Sequence, residues 1–327
     1  MLKILYAASN NQNAKIQLER FLRAVQDKPY QIKIAAYKQS SPRANVDWTL
    51  DCLLNMFKPD LVSIEENDNL QTYFDQVQYF APDLIISDLE YFTSYIASVL
   101  NITLWQCSSS IINYALTTKE KYDLGIFKRH AYIFNKNPLQ TQRHVNAISN
   151  STWIGVYSHL GDSAAPPALK SGYEWVRPYH QIGKVSIPCQ HNVVAGMTNT
   201  NTKILDLIKR NADAVAFMNE APGKYDNIAV KPLDNQEEYF CNLKNSRLFV
   251  CAGQTSFLAD AFYNGKRAAV VTDYKDPECV LNSEISNNFG LSSDVHYIED
   301  LIKTMDYKVS PSYSPTIKYL HEKIEEL

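Results

Sequence analysis

Residues 248–290 read LFVCAGQTSFLADAFYNGKRAAVVTDYKDPECVLNSEISNNFG, and this stretch decides the fold class. Positions 248–251 are an apolar run of strand character that ends in an Ala-Gly turn. Thr255 and Ser256 then lead a segment of helical period that closes in Asn264-Gly265, an expected helix stop. A second apolar strand at 268–272, an acidic loop at 273–278 and a further helix follow. Strand, turn, helix and strand in this order make the repeating unit of a parallel sheet. The turn leaves backbone N–H groups at a helix N-terminus with two hydroxyls beside them, which suits an anion such as a diphosphate. Asp260 falls about one helical turn further on, within reach of a ribose diol.

The same alternation extends outward through the chain. Strands are expected at 2–7, 30–37, 61–64, 84–87 and 103–107, with helices at 14–25, 48–57, 69–80 and 93–100. From 108 to about 150 the pattern is mostly helical. Strands at 153–157 and 173–177 then flank a Gly/Ala/Pro loop at 161–172. Further strands at 192–197, 214–218 and 227–230 alternate with helices at 201–211 and 235–242, and an amphipathic helix closes the chain at 317–327.

Bulk properties exclude several classes. The 327 residues are 45% hydrophobic and 20% charged, a globular balance that is long enough for two α/β domains. A net charge of −3 argues against a protein that relies on nonspecific phosphate attraction. The six cysteines contain no C-x-x-C pair, so a zinc site or disulfide framework is not expected and a reducing cytoplasm is. No apolar run approaches the roughly 18 residues that cross a bilayer, and the opening MLKILYAASNN is too short for a signal peptide. The seven histidines lack metal-ligand spacing, and neither a Walker phrase nor a G-x-S-x-G elbow occurs. Asp88 sits at the C-terminal end of an expected parallel strand, where ligands of α/β sheets gather, and is the candidate general base; Glu90 is the alternative.

Several phrases carry a family resemblance. They are PDLIISDLE at 82–90, the turn at Gly253, Asp260-Ala261-Phe262, Gly265-Lys266-Arg267, and Glu278-Cys279 followed by Asn282-Ser283. Together they resemble small GT-B glycosyltransferases similar to the UDP-sugar transferases of cell-wall precursor synthesis. The resemblance implies an α/β fold of two Rossmann-like domains with parallel sheets and an interdomain cleft. It implies an acceptor-binding domain at 1–185, a nucleotide-sugar-binding domain at 186–312, and a last helix, 313–327, that packs back toward the first. Closure would occur about a hinge at 185–191.

The implied site follows residue by residue. Gly253, Gln254, Thr255 and Ser256 would hold the diphosphate, and Asp260 the ribose. Asp276 and Glu278 would face the donor sugar, Gly196 and Met197 the cleft floor, and Pro232 the nucleobase. Arg177 could assist the leaving group, and His159 and His180 lie near the loop and the hinge. The chain departs from the family pattern at Asp260, Arg267 and Cys279, where Glu, Pro and Gln are usual. Its loop at 8–14 has neither the usual glycine nor the usual histidine; Asn11 and Asn13 stand there, and an amide cannot abstract a proton. The expected activity is transfer of a sugar from a nucleoside diphosphate to a hydroxyl, with no metal and no cofactor. The acceptor is a small molecule, a glycan or lipid intermediate, or a hydroxylated base in phage DNA. The DNA case calls for a basic face built from Lys28, Lys33, Lys38, Arg43, Lys119, Lys121, Lys128 and Arg129. A nucleotide-sugar epimerase and a catalytically silent binder of the same fold are the rival readings.

Overall fold

Strand β1 (Leu2–Ala7) is buried on both faces from Ile4 onward, which requires cover on both sides of its sheet. That cover is helical. In chain order come α1 (Gln12–Val25), β2 (Tyr30–Tyr37), β3 (Asp60–Ile64), α2 (Leu70–Phe80), β4 (Leu84–Ser87) and α3 (Tyr91–Leu100). Then follow β5 (Thr103–Ser108), α4 (Ile112–Ala115), α5 (Thr118–Asp123), α6 (Pro138–Ser149), β6 (Trp153–Tyr157) and β7 (Tyr173–Val176). The strands pair in the order β3-β2-β1-β4-β5-β6-β7, parallel throughout. Strand order reverses between β1 and β4, and a crevice opens there at the C-terminal strand ends.

The second sheet repeats this plan. Its elements are β8 (Val193–Met197), α7 (Thr202–Ile208), β9 (Ala214–Met218), β10 (Gly223–Tyr225), β11 (Ile228–Pro232) and α8 (Gln236–Asn245). β12 (Leu248–Cys251), α9 (Thr255–Tyr263), β13 (Ala268–Val270), α10 (Pro277–Asn288) and β14 (Ser292–Asp294) complete it. The order is β10-β11-β9-β8-β12-β13-β14, with only β10 antiparallel, and the reversal lies between β8 and β12. α9, the helix of the opening stretch, follows β12 at this point. These features come from a computed structural model that describes residues 1–9, 12–37, 60–64, 70–125, 138–160, 166–179, 191–198, 201–209, 213–218, 223–233, 236–295 and 317–327. The expected helix at 48–57 and most of the expected hinge lie outside them.

The last element, α11 (Leu320–Ile324), buries Leu320 and Ile324 in the core of the first sheet beside α1. Tyr179 stacks on Tyr319 and His321, with ring centroids 5.5 and 5.8 Å apart, and ties this return to the end of the first domain. The two domains do not stand apart as water-lined walls. One apolar cluster runs from Ile16, Leu89, Ile111 and Ile112 of the first into Phe257, Leu258, Phe262 and Leu281 of the second. No helix among the described residues is long and apolar enough to cross a membrane.

Candidate active site at the domain seam

Asp88 follows β4 at the switch point of the first sheet. Its N–H donates to the Ala7 carbonyl at 2.9 Å, and its Oδ2 accepts from Ser9 Oγ at 3.0 Å. The next residue, Leu89, has φ of +55°, a left-handed backbone that a branched side chain adopts only under constraint. The constraint is visible: Leu89 N–H donates to Gln106 Oε1 at 2.9 Å, and the Gln106 amide donates to Ser94 Oγ at 2.7 Å. This turn holds Asp88 at 5% exposure. Burial pushes its carboxyl up to about 6, against the opposing hydroxyls of Ser108 and Ser9. A carboxylate tuned this way is suited to accept a proton near neutral pH.

Glu90 does different work. It is the N-cap of α3: Oε1 accepts from the Phe92 N–H, and Oε2 accepts from the Thr93 N–H and hydroxyl. To act as the alternative base expected from the sequence, Glu90 would have to give up this cap. Both oxygens are engaged, and the side chain is buried under the helix it starts.

A cavity of about 260 Å³ opens beside Asp88. Ser9, Leu89, Ser108 and Ser110 line it from the sheet, and Gln140 and His144 of α6 close the far side. The His144 Nδ1 lies 3.0 Å from the Tyr114 hydroxyl, and burial lowers the pKa of the imidazole. Ser110 belongs to two neighbourhoods. Its hydroxyl donates to Oε2 of Glu278 at 3.0 Å, and Ser109 donates to the same oxygen at 2.8 Å. The cavity in the first domain thus ends against a carboxylate of the second.

Glu278 in turn occupies the turn singled out in the sequence. Its Oε1 accepts from the Thr255 N–H at 3.2 Å, at the first turn of α9. The expectation of free N–H groups at that turn is corrected at this position, because the protein's own carboxylate sits on it. The helix N-terminus is an anion site, and here it holds an internal anion. Burial and the neighbouring Asp276 push Glu278 up to about 7, against the Ser109, Thr255 and Ser110 donors. Gly253 makes the turn possible. Its φ is +101°, and a Cβ there would meet Ser283 Oγ at 2.7 Å and the Cys279 carbonyl at 2.8 Å. Asn282 braces the same turn, donating to the Gly253 carbonyl at 3.1 Å and to Thr255 Oγ1 at 2.9 Å. Gln254 takes the N-cap position without a side-chain cap bond. Ser256 Oγ accepts from Gln17 of α1 at 3.0 Å, a contact between domains.

Asp260 is likewise taken. Arg20 of α1 donates to both its oxygens, at 2.9 and 2.8 Å, and Tyr239 donates to Oδ2 at 3.2 Å. The two side chains are 3% and 0% exposed. Burial raises the Asp260 carboxyl and the bidentate guanidinium opposes it. Arg20 also donates to the Tyr179 carbonyl, and the Tyr179 N–H donates to Gln17 Oε1, so α1, the end of the first domain and α9 share one buried network. The expected ribose carboxylate is therefore a domain clasp.

Of the other expected residues, Asp276 neighbours Glu278, while Gly196, Met197 and Pro232 lie apart from this corner. Asp276 caps α10, accepting from the Glu278 N–H at 2.9 Å and from Cys279 Sγ, so it offers no free carboxylate to a sugar. Gly196 is core, since a Cβ there would meet Phe257 and Phe249 within 3 Å, and Met197 packs behind it in a separate apolar cluster. Neither forms a cleft floor. Pro232 is exposed at the end of β11, three strands from β12.

His159 is 1% exposed in the seam, 6.1 Å from the Phe262 ring, with the Asn282 backbone beside its imidazole. Burial pushes it down to about 3, so it is neutral. Asn11 and His180, and the side chain of Asn13, lie outside the described residues. Arg177 stands over the Tyr319 and Tyr263 rings, at 5.1 and 5.9 Å. Of the basic residues, Lys28 pairs with Glu325, Lys33 sits over Phe80, and Lys121 donates to the Asn113 carbonyl.

Sequence reading missed Arg20, Gln17, Ser109, Ser110, Gln140 and His144. The run Ser108-Ser109-Ser110 at a strand end was a usable signal, three hydroxyls where ligands gather. Arg20 gave none, because a cation inside a helical pattern reads as solvated until its partner is placed.

No protein-family model and no curated protein matches the sequence. Solved structures do match it in fold. The glycosyltransferase of kitacinnamycin superposes with a TM-score of 0.58 at 12% identity, covering 93% of this chain and 89% of that one. The spinosyn forosaminyltransferase SpnP gives 0.57 at 13%, with the same coverage. SsfS6 from Streptomyces sp. SF2575, solved with thymidine diphosphate, gives 0.55 at 11% over 100% of both chains. With two Rossmann-type sheets facing each other across one seam, the chain has the GT-B glycosyltransferase fold.

Proposed function

We propose that the protein transfers a sugar from a nucleoside diphosphate to an acceptor hydroxyl. The observation that carries this reading is the continuity of Asp88, Ser110, Glu278 and the α9 N-terminus across the seam. A proton acceptor and an anion site stand on opposite domains with one serine between them. In the forward step Asp88 takes the proton from the acceptor hydroxyl. The oxygen forms a bond to the anomeric carbon, and the bond from that carbon to the diphosphate breaks with its electron pair on the phosphate oxygen. The N–H groups of the first turn of α9 and the Thr255 and Ser256 hydroxyls meet the charge that develops there. Amides and hydroxyls supply this stabilisation, so the reading requires neither metal nor cofactor. The donor displaces Glu278 from Thr255 to reach its site.

A second reading has an observation of its own. The Arg20–Asp260 clasp and the Glu278 contact fill the donor corner with protein groups, which favours a nucleotide-sugar binder that turns over nothing. The two readings separate on one comparison, a thermal-shift screen of UDP-, dTDP-, GDP- and ADP-sugars with wild type and Asp88→Asn, paired with measurement of donor consumption. Transfer predicts donor binding in both proteins and consumption in the wild type alone. Binding in both with consumption in neither, across sugar, lipid and hydroxylated-DNA acceptors, selects the silent binder.

A further inference from the structure

We infer that the cavity beside Asp88 binds a small, neutral, hydroxyl-rich molecule, a single sugar or polyol, and not a flat apolar ring system. As a statement about the acceptor this rests on the transfer reading above; as a statement about binding it stands alone. Ser9 gives its hydroxyl hydrogen to Asp88, and Ser110 gives its own to Glu278. Ser108 Oγ accepts from the Ser110 N–H and supports the Asp88 carboxylate. The hydrogens of these three lining serines are thus committed, and what their oxygens have left to offer a ligand, like the carboxylate oxygens of Asp88, is acceptor capacity. Acceptors on the sheet side, faced by the Gln140 amide and the His144 ring of α6, are matched by a ligand whose several hydroxyls both donate and accept.

The alternatives fit less well. An aromatic or macrocyclic acceptor would cover these oxygens without pairing them, and buried unpaired acceptors oppose binding. Leu89 is the one apolar side chain among the described lining residues, and none of them is a Phe, Tyr or Trp. An anionic acceptor would meet Asp88 and, behind Ser110, Glu278. Size points the same way, since about 260 Å³ lies below the roughly 300–1,000 Å³ of sites for drug-sized ligands. His144, its Nδ1 beside the Tyr114 hydroxyl, lines the opposite wall as a further polar residue.

The test is ligand-observed saturation-transfer NMR on the full chain. The probes are methyl glucoside, N-acetylglucosamine and myo-inositol at millimolar concentration, against unsubstituted flavone, a flat ring system with no hydroxyl, as the apolar probe. Ser9→Val and His144→Phe, which replace polar lining with hydrocarbon, are run in parallel, with circular dichroism to confirm folding. The expected result is a signal from at least one sugar or polyol that weakens by roughly tenfold in either folded variant. Should one variant fail to fold, the other carries the comparison. The inference is overturned if the flavone binds and the polyols do not, or if polyol binding survives both substitutions. A separate titration with dTDP-glucose and UDP-glucose keeps the two readings apart. Polyol binding without donor binding sinks the transferase and leaves the cavity assignment, and donor binding without polyol binding does the reverse.

Discussion

Asp88 carries an acid whose ordinary value is 3.8 up to about 6 because the turn that holds it excludes water. A base must be ionised to work, so the transfer rate should fall as pH drops through about 6, and Asp88→Asn should lower it by roughly 10²–10⁴-fold. A pH–rate profile flat from 5 to 8 would remove Asp88 from that role. The same shift has a stability consequence of definite sign. Between the unfolded and folded pKa values the native state holds the extra proton, so stability falls as pH rises through that window. Asp88→Asn should therefore be more stable than wild type at pH 8, by on the order of 2–3 kcal/mol at 1.36 kcal/mol per pK unit, and no more stable at pH 4. Chemical denaturation at the two pH values checks it.

Arg20 and Asp260 pose the opposite case, a buried pair whose charges satisfy each other. Removing one member strands the other, so Arg20→Ala should cost about 3–5 kcal/mol, while Arg20→Met with Asp260→Leu should recover most of the loss. Urea unfolding of the three proteins decides this, and an Arg20→Ala cost under about 1 kcal/mol would show that the clasp is not a stabilising contact.

At the scale of elements, the β12–α9 turn explains what the sequence could and could not reveal. Apolar strand, Ala-Gly turn and Thr-led helix were legible because each is set by local chemistry: β propensity, the positive φ of Gly253, and N-terminal hydroxyls. Asp88 was legible for the same reason, as a polar residue ending an apolar strand. What lands on the turn was not, since Glu278 reaches Thr255 from 23 residues away and Gln17 reaches Ser256 across 239. That Glu90 and Asp276 cap helices was not legible, because a carboxylate that caps a helix and one that binds a ligand look alike until the N–H partners are placed. β10 and β14, three residues each, are too short to show a period.

Two predictions belong to this turn. Gly253→Ala forces a Cβ into α10 at a left-handed backbone, so the protein should lose at least about 1–3 kcal/mol and its donor site together. A thermal melt and a donor titration of that variant check both. Glu278 competes with the donor while it is charged, and protonation removes the competitor. Asp276, itself beside Asp273, faces it from its own side, and Ser109 and Ser110, with Asp88 beyond them, face it from the first domain. Affinity for dTDP-glucose should therefore rise as pH falls through about 7 in the wild type, and Glu278→Gln should bind tighter with that dependence lost. Calorimetric titration at pH 6 and 8 reads both arms; a wild type that binds more weakly at pH 6 would contradict the exchange.

For the whole molecule, the seam matters more than either sheet. The GT-B plan joins two similar halves, and in this chain an apolar cluster and the Arg20–Asp260 clasp cross between them. Halves that share a core should unfold together, so calorimetry of the wild type should give one transition. Two resolved transitions would mean the halves are energetically separate. α11, returning to α1, adds a second tie between the chain ends. Donor entry must then loosen a closed seam, and this links the Glu278 exchange to the geometry of the catalytic step.

The account stands on the exchange of an internal carboxylate for a donor diphosphate at the first turn of α9. The direct measurement is a crystal structure with a non-transferable analogue of dTDP- or UDP-glucose. It should show the β-phosphate on the amides at Thr255–Phe257, Glu278 swung away, and the sugar facing Asp88. Nucleotide bound elsewhere, with Glu278 still on Thr255, would contradict the account.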